Sequence, residues 1–391
     1  MVSVNQTGQS KKSRRQGTVI QRYKGSYQIR YSALDSNGNR KQVNESIKGS
    51  KRDAEKLLRK RLDELDNGIF VNKSTGTVDQ LFAEFLNIHC VPPKVRLRSK
   101  HHYESYIRRY ITPNIGHIRF QKLTLIQIKK IYSEMQERGL SSTTVRNLHR
   151  LIRKGFNWAC SPEIGLLAKN PTDGITAPSR EEHEITMWEI ETIHEFLDLC
   201  DQSTYGDVFS FAIRTGLRRS EICGLKWDAV DLVEGRLRVT STLHYINGHG
   251  LVTAEPKTKK SRRTIVLAPD TIDLLHAVKG SQQLKKYEYG ASWHNTGYVF
   301  TRPTGLPVVP QEVTKEFTRF VREHNLPHLT FHGLRHAFAT LGLIAGIPAK
   351  IVSEALGHST IGITLDLYSH VLPSMEEEHM LTIDNLLKRE V

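Results

Sequence analysis

Apolar and polar positions alternate over short stretches from Thr18 onward, and longer stretches with helical spacing follow. Residues 18–23, 27–33 and 40–47 alternate at every second position, which predicts three strands. Lys24-Gly25 separates the first two, and Asp35-Ser36-Asn37-Gly38-Asn39, with its Asn-Gly pair, separates the second from the third. A small antiparallel sheet is expected. Ser50 followed by Asp53 opens a helix to about Leu65, with Ala54, Leu57, Leu58, Leu62 and Leu65 on one face and Gly68 as a stop. One helix on three strands makes a compact module over residues 18–68, near the lower size limit for independent folding.

Residues 69–76, with Ser74, Thr75 and Gly76, are the expected linker. Thr77 with Gln80 then reads as a second capping box, followed by Leu81, Phe82, Phe85 and Leu86 on one helical face. Helical patterns continue through 103–110, 125–135 and 145–158, so residues 77–170 are expected to be all helix. Tyr103, Tyr106, Tyr110 and Trp158 are read there as core residues rather than stacking platforms. The pattern breaks from Asn170-Pro171 to Pro178, which places a second linker at 171–182. Thr186 with Glu189 is expected to start a fresh capped helix in a third domain, residues 183–373. The fold class that follows is multidomain and mainly α, with small β-sheets and a mixed α/β third domain.

Charge narrows the partners. Lys and Arg number 56 against 41 Asp and Glu, a formal charge of +15, and the pI is near 9.6. Polyanions fit such a chain better than neutral metabolites. Residues 1–74 hold 17 Lys and Arg against 7 Asp and Glu, and no acid precedes Asp35. Residues 1–17 read as a basic flexible tail, with no apolar core of a secretory signal, so a cytoplasmic location is expected. No apolar run approaches the ~18 residues that a membrane span needs. Cys90, Cys160, Cys200 and Cys223 lie far apart with no C-x-x-C, which argues against a disulfide framework or a cysteine zinc site.

The basic sheet can lay Tyr27, Arg30, Arg40 or Gln42 into a major groove, because a β-ribbon fits that width. Arg22, Lys24 and Lys41 add charge for the phosphate backbone, although a sheet used for protein contact is the other reading. In the helical domain Arg96, Arg98, Lys100, Arg108, Arg109, Arg146, Arg150, Arg153 and Lys154 would suit a clamp on a duplex. Solvated basic faces are the ordinary alternative.

The third domain carries the chemistry. In Thr215-Gly216-Leu217-Arg218-Arg219-Ser220-Glu221, an Arg stands at a helix entrance, where a guanidinium fork suits a phosphate and Glu221 can orient a neighbour. Residues 251–267 read as a hairpin, with strands at 252–254 and 264–267 and Lys257-Thr258-Lys259-Lys260-Ser261-Arg262-Arg263 at a mobile tip. A lysine there could protonate a departing alkoxide; a solvated charge run is the competing reading. In Thr330-Phe331-His332-Gly333-Leu334-Arg335-His336, His332 and Arg335 share a helical face. The zinc reading of His332 and His336 lacks the Glu of H-E-x-x-H, since Gly333 stands there. Leu356-Gly357-His358 follows, and then Tyr368, whose hydroxyl becomes a competent nucleophile only where fixed cations stabilise its anion.

At T-G-L-R-R-S-E (215–221), H-G-L-R-H (332–336), L-G-H (356–358) and L-Y-S-H-V (367–371), the chain resembles the tyrosine recombinase, or phage integrase, family. The likeness spans about residues 183–375. It implies that Tyr368 attacks a DNA phosphate to form a 3′-phosphotyrosyl link and release a 5′-hydroxyl. It further implies that Arg218 and Arg335 hold the non-bridging oxygens, His332 assists proton transfer from the tyrosine, His358 hydrogen-bonds the phosphate and Glu221 supports them. Lys257 is carried over as general acid, with Lys259 and Lys260 as neighbouring candidates. No cofactor and no metal are implied.

The conjugative-transposon and temperate-phage branch further implies that residues 18–68 bind arm-type DNA and that 77–170 form a SAM-like core-binding domain. Residues 374–391, with Met375, His379, Ile383 and Leu386 or Leu387 on one face, would be a helix exchanged between protomers; a helix folded back on its own core is the alternative. Partners implied are core-type and arm-type sites in double-stranded DNA, a homotetramer through a Holliday junction, an excision factor and a host DNA-bending protein, in a bacterial cytoplasm. A non-catalytic DNA-binding regulator and a type IB topoisomerase-like enzyme are the competing functions, and neither needs the whole set of motifs together with the basic N-terminal module.

Overall fold

The structure, a computed structural model, describes residues 17–34, 40–66, 74–179, 187–256, 259–358, 360–368 and 387. The expected Asn37-Gly38 turn, Thr186, Lys257, and the tail at 374–391 apart from Leu387 lie outside the described residues. The chain divides into two compact units, Met1–Glu182 and His183–Val391.

In the first unit, β1 (Gly17–Tyr23), β2 (Ser26–Leu34) and β3 (Arg40–Lys48) pair antiparallel in chain order. The register Tyr27↔Ile47, Ile29↔Glu45 and Tyr31↔Val43 sends every second residue to one face. That face is covered by α1 (Lys51–Asp66): Ile29, Tyr31 and Ala33 meet Ala54, Leu58 and Leu65. The helix starts where expected because Ser50 and Asp53 cap each other; the Ser50 N–H donates to the Asp53 carboxylate at 2.9 Å and the Asp53 N–H to Ser50 Oγ at 3.2 Å.

A second core lies in the helices α2 (Val78–Glu84), α3 (Leu97–Tyr106), α4 (Thr112–Ile115), α5 (Leu125–Glu137) and α6 (Ser142–Ala159). The Thr77–Gln80 capping box is present at the start of α2. Phe82 meets Phe85 and Phe156 edge-on, at 6.0 and 5.7 Å between ring centroids. Gly155 makes this approach possible, since a Cβ there would lie 2.5 Å from the Phe82 ring.

The second unit opens with α7 (Ile190–Leu199), α8 (Gly206–Thr215) and α9 (Arg219–Cys223). It continues with β4 (Val230–Asp231), β5 (Arg236–Arg238), β6 (Thr242–Ile246), β7 (Gly250–Ala254) and β8 (Thr264–Val266). It closes with α10 (Pro269–Tyr289), α11 (Pro310–Glu323), α12 (Phe331–Ile344), α13 (Ala349–Leu356) and α14 (Gly362–Tyr368). Phe196, Phe209, Phe317, Phe320 and Phe331 pack together at its centre.

Two expectations are corrected here. The helix expected from Thr186 starts at Ile190, with Glu189 as N-cap and no side-chain cap. Residues 187–189 are non-helical, which lets Trp188, 1% exposed, reach the core and donate its indole N–H to the Pro327 carbonyl at 2.8 Å. The expected hairpin of β7 with β8 does not form either. β7 pairs with β6 through the Asn247-Gly248 turn, while β8 joins β5 in a separate three-stranded sheet of order β4-β5-β8. The basic stretch 259–263 therefore lies on a crossover between two sheets.

Candidate active site and nucleic-acid surfaces

The site in the second unit is built on two helix C-termini. α8 ends in Gly216 and α13 in Gly357, both left-handed, with φ of 61° and 65°. Each glycine is needed twice over. A Cβ on Gly216 would meet the Phe338 ring at 2.4 Å, and one on Gly357 would meet the Arg263 guanidinium at 2.8 Å. Turning the chain this way leaves the last carbonyls of both helices without intrahelical donors, at the negative end of each helix dipole.

Three guanidinium groups occupy those carbonyls. Arg335, on α12 and 4% exposed, donates to the Gly216 and Leu356 carbonyls, both at 2.7 Å. Arg218, the N-cap of α9, donates to the Leu356 and Gly357 carbonyls at 3.4 and 3.3 Å. Arg263 donates from Nε to the Ala355 carbonyl at 2.6 Å. Glu221, 3% exposed, lies among them. It accepts the Arg218 backbone N–H at 3.0 Å, half of a capping box, and the Arg218 guanidinium at 2.9 Å. It also accepts the Arg263 guanidinium at 3.0 Å. Burial pushes the Glu221 carboxyl upward, but Arg263 and then Arg218 outweigh it and hold the group below the usual carboxylate range.

Thr330 caps α12, accepting the Gly333 N–H at 3.1 Å, and so places His332 in its first turn and Arg335 one turn on. The His332 ring stands against His336, with centroids 4.9 Å apart, and keeps an exposed edge. Surrounding protein, then His336, Arg335, Arg218 and Arg219, lower its pKa to about 4. His358 is lowered to about 4 as well, by burial and then by Arg335 and Arg218. Both imidazoles are therefore neutral near pH 7 and able to accept a proton. His358 Nδ1 lies 2.8 Å from Oγ1 of the fully buried Thr364, which ties the Leu-Gly-His turn to α14. Tyr368 closes that helix one turn beyond Thr364. A cavity of about 430 Å³ opens beside His358 and Gly357, flanked by Lys260 and Lys350.

The motifs at 215–221, 332–336 and 356–358 thus converge on one place. Lys257 lies outside the described residues. Arg263, read as part of a mobile tip, is instead buried, with a side chain 7% exposed. No local signal marks it; its partners Glu221 and Ala355 are 42 and 92 residues away in sequence. Among the described residues no cluster of His, Cys, Asp or Glu is arranged to hold a metal ion. No described helix is long and apolar enough to cross a membrane.

The first unit offers two basic surfaces. On the face of β1-β2-β3 opposite α1, Arg22 donates to the Gln28 side chain at 2.9 Å and Arg30 to Asn44 at 3.1 Å. Arg40 pairs with Leu34 on the same face as Arg30, by alternation. Tyr27 is a correction: it packs against the core under α1, because it shares the parity of Ile29 and Tyr31. Lys41 shares that parity but is exposed at the sheet end, and Lys24 lies in the exposed turn. Among the helices, a cavity of about 230 Å³ lies between α3 and α6, lined by Tyr103, Tyr106, Asn147, Arg150 and Lys154. Tyr103, Tyr106 and Tyr110 pack against the core as expected, and the first two also line this cavity. Trp158 is buried as expected. Arg96 and Arg98 are exposed at the start of α3, with Lys100 half-buried on it. Arg146 is committed to the Pro178 carbonyl at 3.3 Å.

The model of the phage integrase family matches residues 184–375, and that of the phage integrase N-terminal SAM-like domain matches 77–136. A tyrosine recombinase XerC-like protein of Caldanaerobacter subterraneus subsp. tengcongensis is 30% identical over 359 residues, covering 86% of this chain and 90% of the relative. The Tn1549 transposon integrase, solved with transposon right end DNA, superposes with a TM-score of 0.65 at 24% identity, covering 77% of this chain and 99% of that one. A lambda integrase tetramer bound to a Holliday junction superposes at 0.56 with 16% identity, over 89% of this chain and 94% of the other.

Proposed function

Because the chain belongs to the phage integrase family of tyrosine recombinases, we propose that Tyr368, Arg218, His332, Arg335, His358 and Lys257 carry its site-specific DNA recombination. The observation that supports this most is the convergence of Arg218 and Arg335 on the carbonyls of two helix ends beside two neutral imidazoles. Fixed cations of this kind stabilise charge that grows on a phosphate in the transition state and need no reorganisation.

The reaction runs as a reversible exchange. The Tyr368 oxygen forms a bond to phosphorus as the bond to the 5′ oxygen breaks. His332 takes the phenolic proton and Lys257 supplies one to the departing 5′ oxygen. Arg218, Arg335 and His358 hold the non-bridging oxygens, and Glu221 keeps Arg218 in place. Attack by the partner strand's 5′-hydroxyl on the 3′-phosphotyrosyl link restores the phosphodiester. One ester replaces another, so no cofactor has to supply energy.

Residues 18–68 bind arm-type sites through Arg22, Arg30 and Arg40, and residues 77–170 hold the core site through α3 and α6, with Arg96, Arg98, Lys100 and Arg150 on phosphates. Residues 183–373 form the catalytic domain, and 374–391 pass to a neighbouring protomer of a tetramer. The protein works in the cytoplasm of a bacterial host, on the junctions of a mobile element, with an excision factor and a DNA-bending protein as further partners. Two plasmids carrying the element-end and chromosomal junctions test the reading: the full chain yields hybrid junctions. A regulator would retain both plasmids without joining them, and a topoisomerase-like enzyme would relax plasmids that lack the junctions.

A further inference from the structure

Glu221 is a single buried carboxylate facing two guanidinium groups, Arg218 at 2.9 Å and Arg263 at 3.0 Å. Paired with Arg218 alone it would cancel that residue's charge. With Arg263 present, the three groups keep one net positive charge at the place where the Arg218 guanidinium meets the pocket. Arg263 borders the cavity beside His358, but all three of its guanidinium nitrogens already have protein partners, which suits it to this balancing role. Its side chain is 7% exposed, and its nitrogens are committed to Glu221, to the Ala355 carbonyl at 2.6 Å and to the Ser261 carbonyl at 3.3 Å. It also stands at the far end of the basic crossover, two residues beyond Ser261 and immediately before β8. Gly357 leaves the space it fills.

We propose that Arg263 is a positioning residue for phosphoryl transfer: it takes up the charge of Glu221, so that Arg218 remains available to the scissile phosphate. The same fork joins the basic crossover to α9 and to the end of α13. This inference rests on the assignment of Arg218 to the phosphate. An arginine serving only as a brace would matter equally for any substrate, whereas a charge-balancing arginine matters most where the scissile phosphate already carries a negative charge and gains a second in the transition state.

The test uses the full chain on a nicked suicide duplex, with an ordinary phosphodiester or a neutral methylphosphonate at the scissile position. Single-turnover adduct formation and thermal melts are followed for the unchanged protein, R263Q, R263K and E221Q/R263Q. R263Q is expected to slow cleavage of the phosphodiester about 100-fold, the scale for losing one stabilising contact. On the methylphosphonate its deficit shrinks to within about threefold of the unchanged protein, as expected for an effect on charge. E221Q/R263Q, which has no buried carboxylate to absorb Arg218, recovers at least about tenfold over R263Q on the phosphodiester. Should R263Q fail to fold, R263K and the double variant, which lack an uncompensated buried carboxylate, carry the same comparison. Deficits of equal size on both substrates, in R263Q or, if it does not fold, in R263K and the double variant, overturn the proposal, as does a double variant no faster than R263Q. Absence of adduct from the unchanged protein on the phosphodiester would instead refute the proposed function, which keeps the two failures distinct.

Discussion

Replacing Arg335 by lysine keeps a positive charge and removes the fork, which makes it the sharpest probe of how the pocket is held. The guanidinium spans two helix ends, donating to Gly216 and Leu356 at 2.7 Å each. A single ammonium on a shorter stem can reach one of them. Leu356 also accepts from Arg218 at 3.4 Å, so an ammonium that turns to Gly216 leaves Leu356 on that one long bond, and one that turns to Leu356 leaves the Gly216 carbonyl unpaired. Leaving a buried carbonyl unpaired costs about 1–3 kcal/mol, which in a domain of this size lowers the melting temperature by roughly 2–10 °C. Catalysis should suffer more. Losing one of two donors to a non-bridging oxygen typically slows the reaction about 10²–10³-fold. The assay is adduct formation at saturating DNA, with a thermal melt of the same preparation. R335K that cleaves within threefold of the unchanged protein, or that melts at the same temperature, would show that the fork is not what holds this pocket.

Gly357→Ala should destabilise the protein by about 1–2 kcal/mol from the left-handed conformation alone. It should also slow adduct formation, because the new Cβ meets an Arg263 fork fixed at both ends; urea unfolding and single-turnover cleavage check both parts. The His332 and His358 pKa values of about 4 lie below the ordinary imidazole value of 6.5. Between those values the unfolded chain binds more protons, so stability falls on acidification from about pH 6.5 toward 4. The acid limb of cleavage at limiting DNA should likewise lie below 6.5, and a limb centred at or above it in a pH–rate profile would contradict neutral imidazoles. Deleting residues 1–74 should spare cleavage at core sites and impair recombination between plasmids; loss of core cleavage as well would contradict separate DNA-binding modules.

What could be read from the chain alone follows the range of each interaction. The strands of the N-terminal sheet and α6 were visible because their core faces repeat every second or every third to fourth residue, and a local pattern needs no partner to be seen. The glycines of Thr-Gly-Leu-Arg and Leu-Gly-His were visible as motifs, but their purpose was not. Only the packed structure brings Gly216 and Gly357 to arginines that are more than a hundred residues away or on another element. The pairing of β6 with β7 has a local signal, the Asn247-Gly248 turn between alternating segments, which competes in the sequence with a hairpin across the lysines. The late start of α7 had none, since it depends on Trp188 reaching Pro327. The aromatic character of Tyr27 says nothing of which face of the sheet it occupies; its parity with Ile29 and Tyr31 does.

The account stands most directly on the identity of the nucleophile. A nicked duplex carrying the core site, incubated with the full chain and then denatured, should leave DNA covalently attached to the peptide that contains Tyr368, and Tyr368→Phe should abolish the band while binding the duplex as before. A Tyr368→Phe protein that forms as much adduct as the unchanged chain, or an adduct mapped to another residue, would contradict it.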